Sequence, residues 1–326
     1  MMITVLKPGL LTAVMDLGRP GYQRHGVVVG GALDRFAARV ANTIVGNDEN
    51  AALLELAQLG PELRFDVPAV VAWCGGGFEP RVGAEPLPRD RAVRVAAGET
   101  IGFGPAQTGL RAWLAVAGGI DVPLVLGSRS TYRRAGFGGF NGRPLQAGDR
   151  LRMGEMSGFA RRLSATPVRA APWSIRPDTL GNQAPVGTVR AMRGPEWDWF
   201  TPEAQRAFFS SPWTATKDAD RMGVRLAGPE LTLAEAREMI SDGVNEGIVQ
   251  VPAAGAPIVL LASRQTVGGY PRLAAVASVD LGRLAQLAPG QTVRFGEITL
   301  ARAHELYLGR ERDLTRVRTG LSRLGA

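Results

Sequence analysis

The chain has 326 residues, 45% hydrophobic and 21% charged, a globular composition that excludes a disordered protein, and its length predicts two domains. The net charge of +8 suggests nucleic-acid binding, but Lys7 and Lys217 are the only lysines and the arginines are spread along the chain, so nucleic acid is not expected as a partner. Cys74 stands alone and no apolar run approaches about 18 residues, which excludes an internal disulfide and a membrane-spanning helix.

The opening "MMITVLKPGLLTAVMDLG" lacks the basic start and long apolar centre of a signal peptide, so a cytoplasmic protein is expected. Asp34 then caps a helical pattern, "RFAARVANTIVGN", which leads through "AALLELAQL" to "GPEL" at 60–63. "WCGGGFEP" at 73–80 reads as a strand-end turn, because it lacks the lysine of a phosphate loop. Three stretches share one pattern of turn glycine, polar residue, alternating apolar positions and closing glycine: "AGETIGFG" at 97–104, "AGDRLRMG" at 147–154 and "PGQTVRFG" at 289–296. Each predicts a turn followed by a half-buried strand.

Residues 156–190 are rich in Pro, Ser and Arg without a clear period, and a domain boundary is expected there. Thr201, with Pro202 and Glu203 after it, opens a second helix. "GPEL" recurs at 228–231, so the two halves read as copies of one β-rich unit with one helix. "APIVLLA" at 256–262 reads as a buried strand, and beyond residue 300 the apolar spacing is helical. Alternating strand–helix units are absent, so a doubly wound parallel sheet is disfavoured.

The two histidines, His25 and His304, are far apart and Cys74 has no companion, so no metal site is predicted. No G-x-S-x-G elbow occurs. Four polar, glycine-laced segments remain: 15–34, 127–143, 218–226 and 263–276. Three of the four tyrosines (Tyr22, Tyr132, Tyr270) fall in them, with His25 and with Arg19, Arg129, Arg133, Arg134, Arg221 and Arg264. Guanidinium forks match carboxylate or phosphate, and a phenol both donates and accepts. A concave site for a small anion is expected. An ordinary turn on Gly268-Gly269 or a structural network tying two strands explains the last segment equally well. The candidate catalytic residues are Arg264, Gln265 and Tyr270. The candidate substrate-binding residues are Arg129, Tyr132, Arg133, Arg134, Thr266, Gly268, Gly269, Arg221, Tyr22 and His25.

The segments "DLGRPGYQ…GVVVGGALDRFAARVANTIVGN", "SRSTYRRAGFGGFNGRPLQAGD", "DRMGVRLAGPEL", "SDGVNEGIVQVPAAGAPIVLLASRQTVGGYPRLAAV" and "LAQLAPGQTVRF" together resemble the allophanate hydrolase subunit 2 family, over about residues 3–297. It is also described as the biotin-dependent carboxyltransferase family or as the C subunit of bacterial 5-oxoprolinase. The resemblance implies a mainly β fold of two tandem cyclophilin-like β-barrel domains, each with a short helix, at residues 1–165 and 185–300, with a C-terminal helical extension at 301–326. It implies a subunit of a multi-subunit ATP-dependent 5-oxoprolinase, a hydrolase that opens the lactam of 5-oxo-L-proline to L-glutamate. That enzyme works with a smaller homologous B subunit (allophanate hydrolase subunit 1-like) and with an A subunit. The alternatives it leaves open are a non-catalytic antagonist of a kinase-inhibitor partner and a urea carboxylase-like, biotin-dependent carboxyltransferase subunit. Neither Lys7 nor Lys217 stands in an Ala-Met-Lys-Met context, so carboxybiotin would have to come from a partner, and ATP would be a co-substrate of the complex. The sequence departs from the family pattern at Val28-Val29, Asn245-Glu246 and Ser263.

Overall fold

The computed structural model describes residues 1–181, 184, 185 and 187–324. Positions 182, 183 and 186 of the expected boundary and 325–326 of the expected extension lie outside the described residues. The chain is mainly β and divides into two compact units. One comprises Met1–Arg19, Gly30–Leu180 and Arg312–Ala326, the other Pro20–Val29 and Gly181–Glu311. No helix among the described residues is long and apolar enough to cross a membrane.

In the first unit two sheets enclose one core. The first sheet runs, in order, Ile120–Asp121, Arg150–Met153, Met2–Lys7, Glu62–Phe65, Thr100–Gly102, Arg81–Val82 and Glu85–Pro86. The second runs Leu11–Met15, Leu53–Ala57, Arg111–Val116, Ala69–Gly75 and Val93–Val95. Ile3, Val5, Leu63, Phe65 and Ile101 of the first sheet share a core with Leu54, Leu56, Val71, Trp73 and Leu114 of the second. The second sheet is buried on both faces, because helix α1 (Arg35–Ile44) packs on its outer side. This is why "LLELA" and "AVVAWCG" are buried at nearly every position instead of at alternate ones, with Glu55 as the one charged residue among them. Asp34 caps α1 as expected, its Oδ1 accepting from Ala37 N at 2.9 Å.

The second unit closes into a barrel: Thr188–Arg193, Arg272–Val276, Ile248–Gln250, Ile258–Leu260, Gly223–Ala227, Trp213–Ala215 and Thr292–Glu297. A separate two-stranded ribbon pairs Asp242–Gly243 with Val267–Gly268. Thr201 caps helix α3 (Pro202–Ser210), which lays Phe208 on Phe295 with ring centroids 4.5 Å apart. The short helix α4 (Leu281–Ala285) follows, and helix α5 (Leu300–Leu324) realises the spacing beyond residue 300. Ala303 and Leu306 of α5 pack on Ala277 and Val279.

The three echoed turns are one structure built three times. Gly98, Gly148 and Gly290 have φ of 82°, 88° and 83°, a left-handed backbone that favours glycine. The next residue's side chain accepts from the backbone N–H three positions earlier: Glu99 from Ala96, Asp149 from Gln146, Gln291 from Ala288, at 2.7, 2.7 and 2.8 Å. Each turn is clasped by a neighbouring strand residue that exchanges two backbone hydrogen bonds with it, namely Phe65, Val5 and Ala215. "GPEL" behaves differently. At 60–63 it opens the strand Glu62–Phe65, whereas at 228–231 it follows the strand Gly223–Ala227 and opens none. What the copies share is a glycine against an aromatic ring. A Cβ would lie 2.3 Å from Phe103 Cβ at Gly60, and 2.5 Å from the Trp213 ring at Gly228.

Within 156–181 the chain holds more regular structure than its composition implies. Ser157 caps helix α2 (Gly158–Ala165), whose only buried residue is Ala160, so its pattern gives little helical signal. Beyond it, Arg169 O accepts from Arg94 N and Ala171 N donates to Ala92 O, which lays the chain along the edge of the second sheet.

Candidate functional site

The structure gathers the polar segments into two places, one in each unit. In the first unit the centre is Asp16, at the end of strand Leu11–Met15 and 3% exposed. Its Oδ1 accepts from Ser128 Oγ and Ser130 Oγ, both at 2.6 Å, and from Gly18 N at 2.8 Å. Its Oδ2 accepts from Arg129 N at 2.5 Å. A charged acceptor surrounded by donors makes the strong class of hydrogen bond, so Asp16 fixes the turn that carries residues 128–130. Arg129 uses its Nε as a strut to Val122 O at 2.9 Å. Tyr132 is half-buried, edge-on to Phe137, with ring centroids 5.4 Å apart. Arg133 and Arg134 are exposed on the same loop.

Glycines shape this loop. Gly138 has φ of 71°, and a Cβ there would stand 2.2 Å from Ser130 O. Arg19, 1% exposed, donates from Nε to Val125 O at 3.4 Å and from Nη2 to Ser130 O, with its Cζ 5.0 Å from the Phe137 ring centroid. Burial holds its pKa below the ordinary arginine value, against the opposing charge of the nearby Asp16.

The second place lies where the barrel strand Ile258–Leu260 ends. Ser263 N donates to Arg221 O at 2.9 Å, so 220–223 and 263–266 are neighbours. Asp220 Oδ1 accepts from Met222 N and Gly223 N, closing a tight turn around the half-buried Arg221. Arg264 is 5% exposed and donates from Nε to Val244 O at 3.1 Å. Gln265 Nε2 donates to Gln250 Oε1 at 3.1 Å, and Gln250 Nε2 donates to Tyr270 O at 3.3 Å. Thr266 O accepts from Val244 N. The Tyr270 side chain is exposed.

The ribbon bearing Gly268 is pinned from below. Arg272 donates from N, Nε and Nη2 to Glu196 and from Nη1 to Asp242, whose strand pairs with Gly268. Burial pushes the Glu196 carboxyl up, but the bonds from Arg272 outweigh it and leave it below the usual carboxylate range. A lowered folded pKa contributes stability that is present above about pH 4.3 and lost as pH falls through the folded value. Glu196→Gln therefore lowers stability at pH 7 and flattens the loss of stability below about pH 4.3, read from urea midpoints between pH 7 and 3.

Tyr22 and His25 stand apart from both places in their bonding. Tyr22 precedes and His25 ends the short 3-10 turn Gln23–His25, where Gly26 N donates to Gln23 O and Arg24 Nε donates to the exposed His25 ring at 3.0 Å.

Asp16, Gln250, Glu196 and Arg272 were not singled out from the sequence. Gln250 carried a readable signal, a polar residue inside the apolar strand "IVQ". Apart from Gly18, the partners of the Asp16 side chain lie 112–114 residues away and leave no local mark. A Cβ on Gly268 would meet Gln250 Nε2 at 2.6 Å. Gly268→Ala is expected to displace the Gln250 amide and break its bond to Gln265, at about 1–3 kcal/mol. The Gln250 side-chain amide resonance should move. An unmoved resonance would show that the glycine serves only the turn.

The sequence matches the family "Carboxyltransferase domain, subdomain A and B" over residues 25–297. It is 39% identical to the 5-oxoprolinase C subunit of Escherichia coli over 93% of both chains. It is 34% identical to the 5-oxoprolinase C subunit of Haemophilus influenzae over 97% of this chain and 98% of that one. Among solved structures, Kluyveromyces lactis urea carboxylase superposes with a TM-score of 0.88 at 29% identity, covering 97% of this chain and 29% of that one. With a mainly β fold, and with the family matched over residues 25–297, this chain belongs to the carboxyltransferase-domain family of subdomains A and B.

Proposed function

We propose that this chain is the C subunit of an ATP-dependent 5-oxoprolinase, a hydrolase that opens the lactam of 5-oxo-L-proline only when assembled with its companion subunits. One observation carries the reading: its two-way, nearly complete alignment with bacterial proteins named as the 5-oxoprolinase C subunit. The companions are a smaller B subunit, of the allophanate hydrolase subunit 1 type, and an A subunit. ATP is a co-substrate of the complex, and a cytoplasmic location goes with the reading.

An amide carbonyl resists attack until the negative charge growing on its oxygen is stabilised. Arg264, Gln265 and Tyr270 are the donors assigned to that oxygen, on a short segment set by the Gln250 and Val244 contacts. Arg221, Thr266, Gly268 and Gly269 shape the same place. Arg133 and Arg134, exposed on the first unit's glycine loop, are the cations assigned to a carboxylate or phosphate, with Arg129 and Tyr132 beside them. Tyr22 and His25 are assigned to substrate contact on their turn.

The likeness to urea carboxylase favours a second reading, in which the chain is a carboxyltransferase using carboxybiotin carried by a partner. Mixing the purified chain with its companion subunits separates the two. ATP-dependent glutamate release from 5-oxoproline supports the first, and avidin-sensitive carboxylation of urea supports the second. Tight binding of the smaller companion without either turnover would make the chain a non-catalytic antagonist.

A further inference from the structure

The first unit buries a cation and gives it no direct ion pair. Arg19 is 1% exposed, and among the described residues no carboxylate comes within the 4.0 Å of an ion pair. The nearby Asp16 spends its two oxygens on Ser128, Ser130, Gly18 and Arg129. Nε and Nη2 of Arg19 are held by the carbonyls of Val125 and Ser130, and Phe137 lies against the guanidinium. Nη1 is fully buried and has no hydrogen-bond partner. An orphaned donor on a buried charge carries the full desolvation penalty of both, and a fold keeps such a group where it serves a ligand.

The surroundings of Nη1 set the shape of that ligand. Gly30 has φ of 63°, and a Cβ there would sit 3.6 Å from Nη1. At Gly138 a Cβ would sit 2.8 Å from Nη2. Left-handed glycines on both arms bring bare backbone close to the guanidinium, where any side chain on Gly138 would crowd Nη2. Only one arm remains to donate, so the ligand presents one oxygen. Neither of the chain's two lysines, Lys7 and Lys217, belongs to segment 16–19 or to the glycine loop. A phosphate, tetrahedral and more highly charged, needs several converging donors, which makes a planar carboxylate the better match.

We propose that Arg19, through Nη1, anchors the carboxylate of a small organic acid beside Gly30 and Gly138. The choice of acid rests on the 5-oxoprolinase reading: 5-oxoproline carries one carboxylate on a small lactam ring, and with that carboxylate on Arg19 the exposed Arg133 and Arg134 are left to a phosphate. The site itself needs only the carboxylate.

The test uses the intact chain, with thermal unfolding in 5-oxoproline, in 2-pyrrolidinone (the same lactam without the carboxylate), and in acetate against chloride at equal ionic strength. A ligand that binds only the folded state raises the midpoint saturably. Acetate and 5-oxoproline are expected to do so and 2-pyrrolidinone not. Arg19→Met should weaken the acid's affinity about tenfold or more, with Arg19→Lys intermediate. The guanidinium resonances of Arg19 in arginine-labelled protein should shift along the same titration, a readout that needs no variant to fold. Acetate binding without 5-oxoproline binding would uphold the site and count against the 5-oxoprolinase reading. No carboxylate effect, an effect that survives Arg19→Met, or an unmoved Arg19 resonance would overturn the proposal and leave Nη1 to a water. ATP-dependent glutamate release by the complex would in that event still uphold the function.

Discussion

Asp16→Ala is expected to cost about 3–5 kcal/mol, a large part of the stability of a domain. The carboxylate is 3% exposed and accepts from two hydroxyls and two backbone N–H groups. Removing it leaves four donors in a place that water does not reach. Ser128 and Ser130 can rotate, but Gly18 N and Arg129 N cannot. The loss spreads along the loop, because Ser130 O and Val125 O hold Arg19. Asp16→Asn keeps the size but turns one acceptor into a donor facing donors, so it should recover only part of the loss. Urea unfolding measures both, and a cost under about 1 kcal/mol for Asp16→Ala would show that the loop stands without its hub.

The parts of the fold legible in the sequence are those closed within a few residues. The caps at Asp34 and Thr201 each bond to an N–H three positions on, and the three echoed turns close between a polar side chain and the N–H three positions back. Such contacts leave a local pattern, so residue type and spacing suffice. Helix α2 was lost because only Ala160 is buried, so no apolar stripe advertised it. The repeated "GPEL" reads as a sign of two copies of one β-rich unit; locally its copies share a glycine close to an aromatic side chain, Phe103 in one case and Trp213 in the other, at unrelated sequence separations. The candidate sites were half legible. Arginine, tyrosine and glycine in company drew attention to residues 127–143 and 263–276, where the structure indeed builds tight turns. What holds those turns, Asp16 in one case and Gln250 with the Glu196–Arg272 pair in the other, is long-range in sequence and polar, so neither hydrophobic period nor propensity records it.

Arg264→Ala carries the largest functional expectation, a fall of about 10²–10³-fold in coupled turnover by the assembled enzyme. The residue leaves a barrel strand through a bond from its own N–H to Leu261 O, and its Nε is tethered to Val244 O. Both contacts fix the guanidinium before any ligand arrives, and a preorganised donor in a dry place loses little on meeting developing charge. An interaction made chiefly in the transition state shows as a loss in kcat with KM nearly unchanged. A strut would behave differently. If Arg264 only supports the turn, Arg264→Ala lowers the thermal midpoint and the residual folded enzyme keeps its kcat. Arg264→Lys sharpens the distinction, since a lysine restores a charge but not the planar fork, and should regain stability more than rate. Tyr270→Phe gives the independent check, because its exposed hydroxyl contributes little to folding, so any fall in kcat there reports on the reacting oxygen alone.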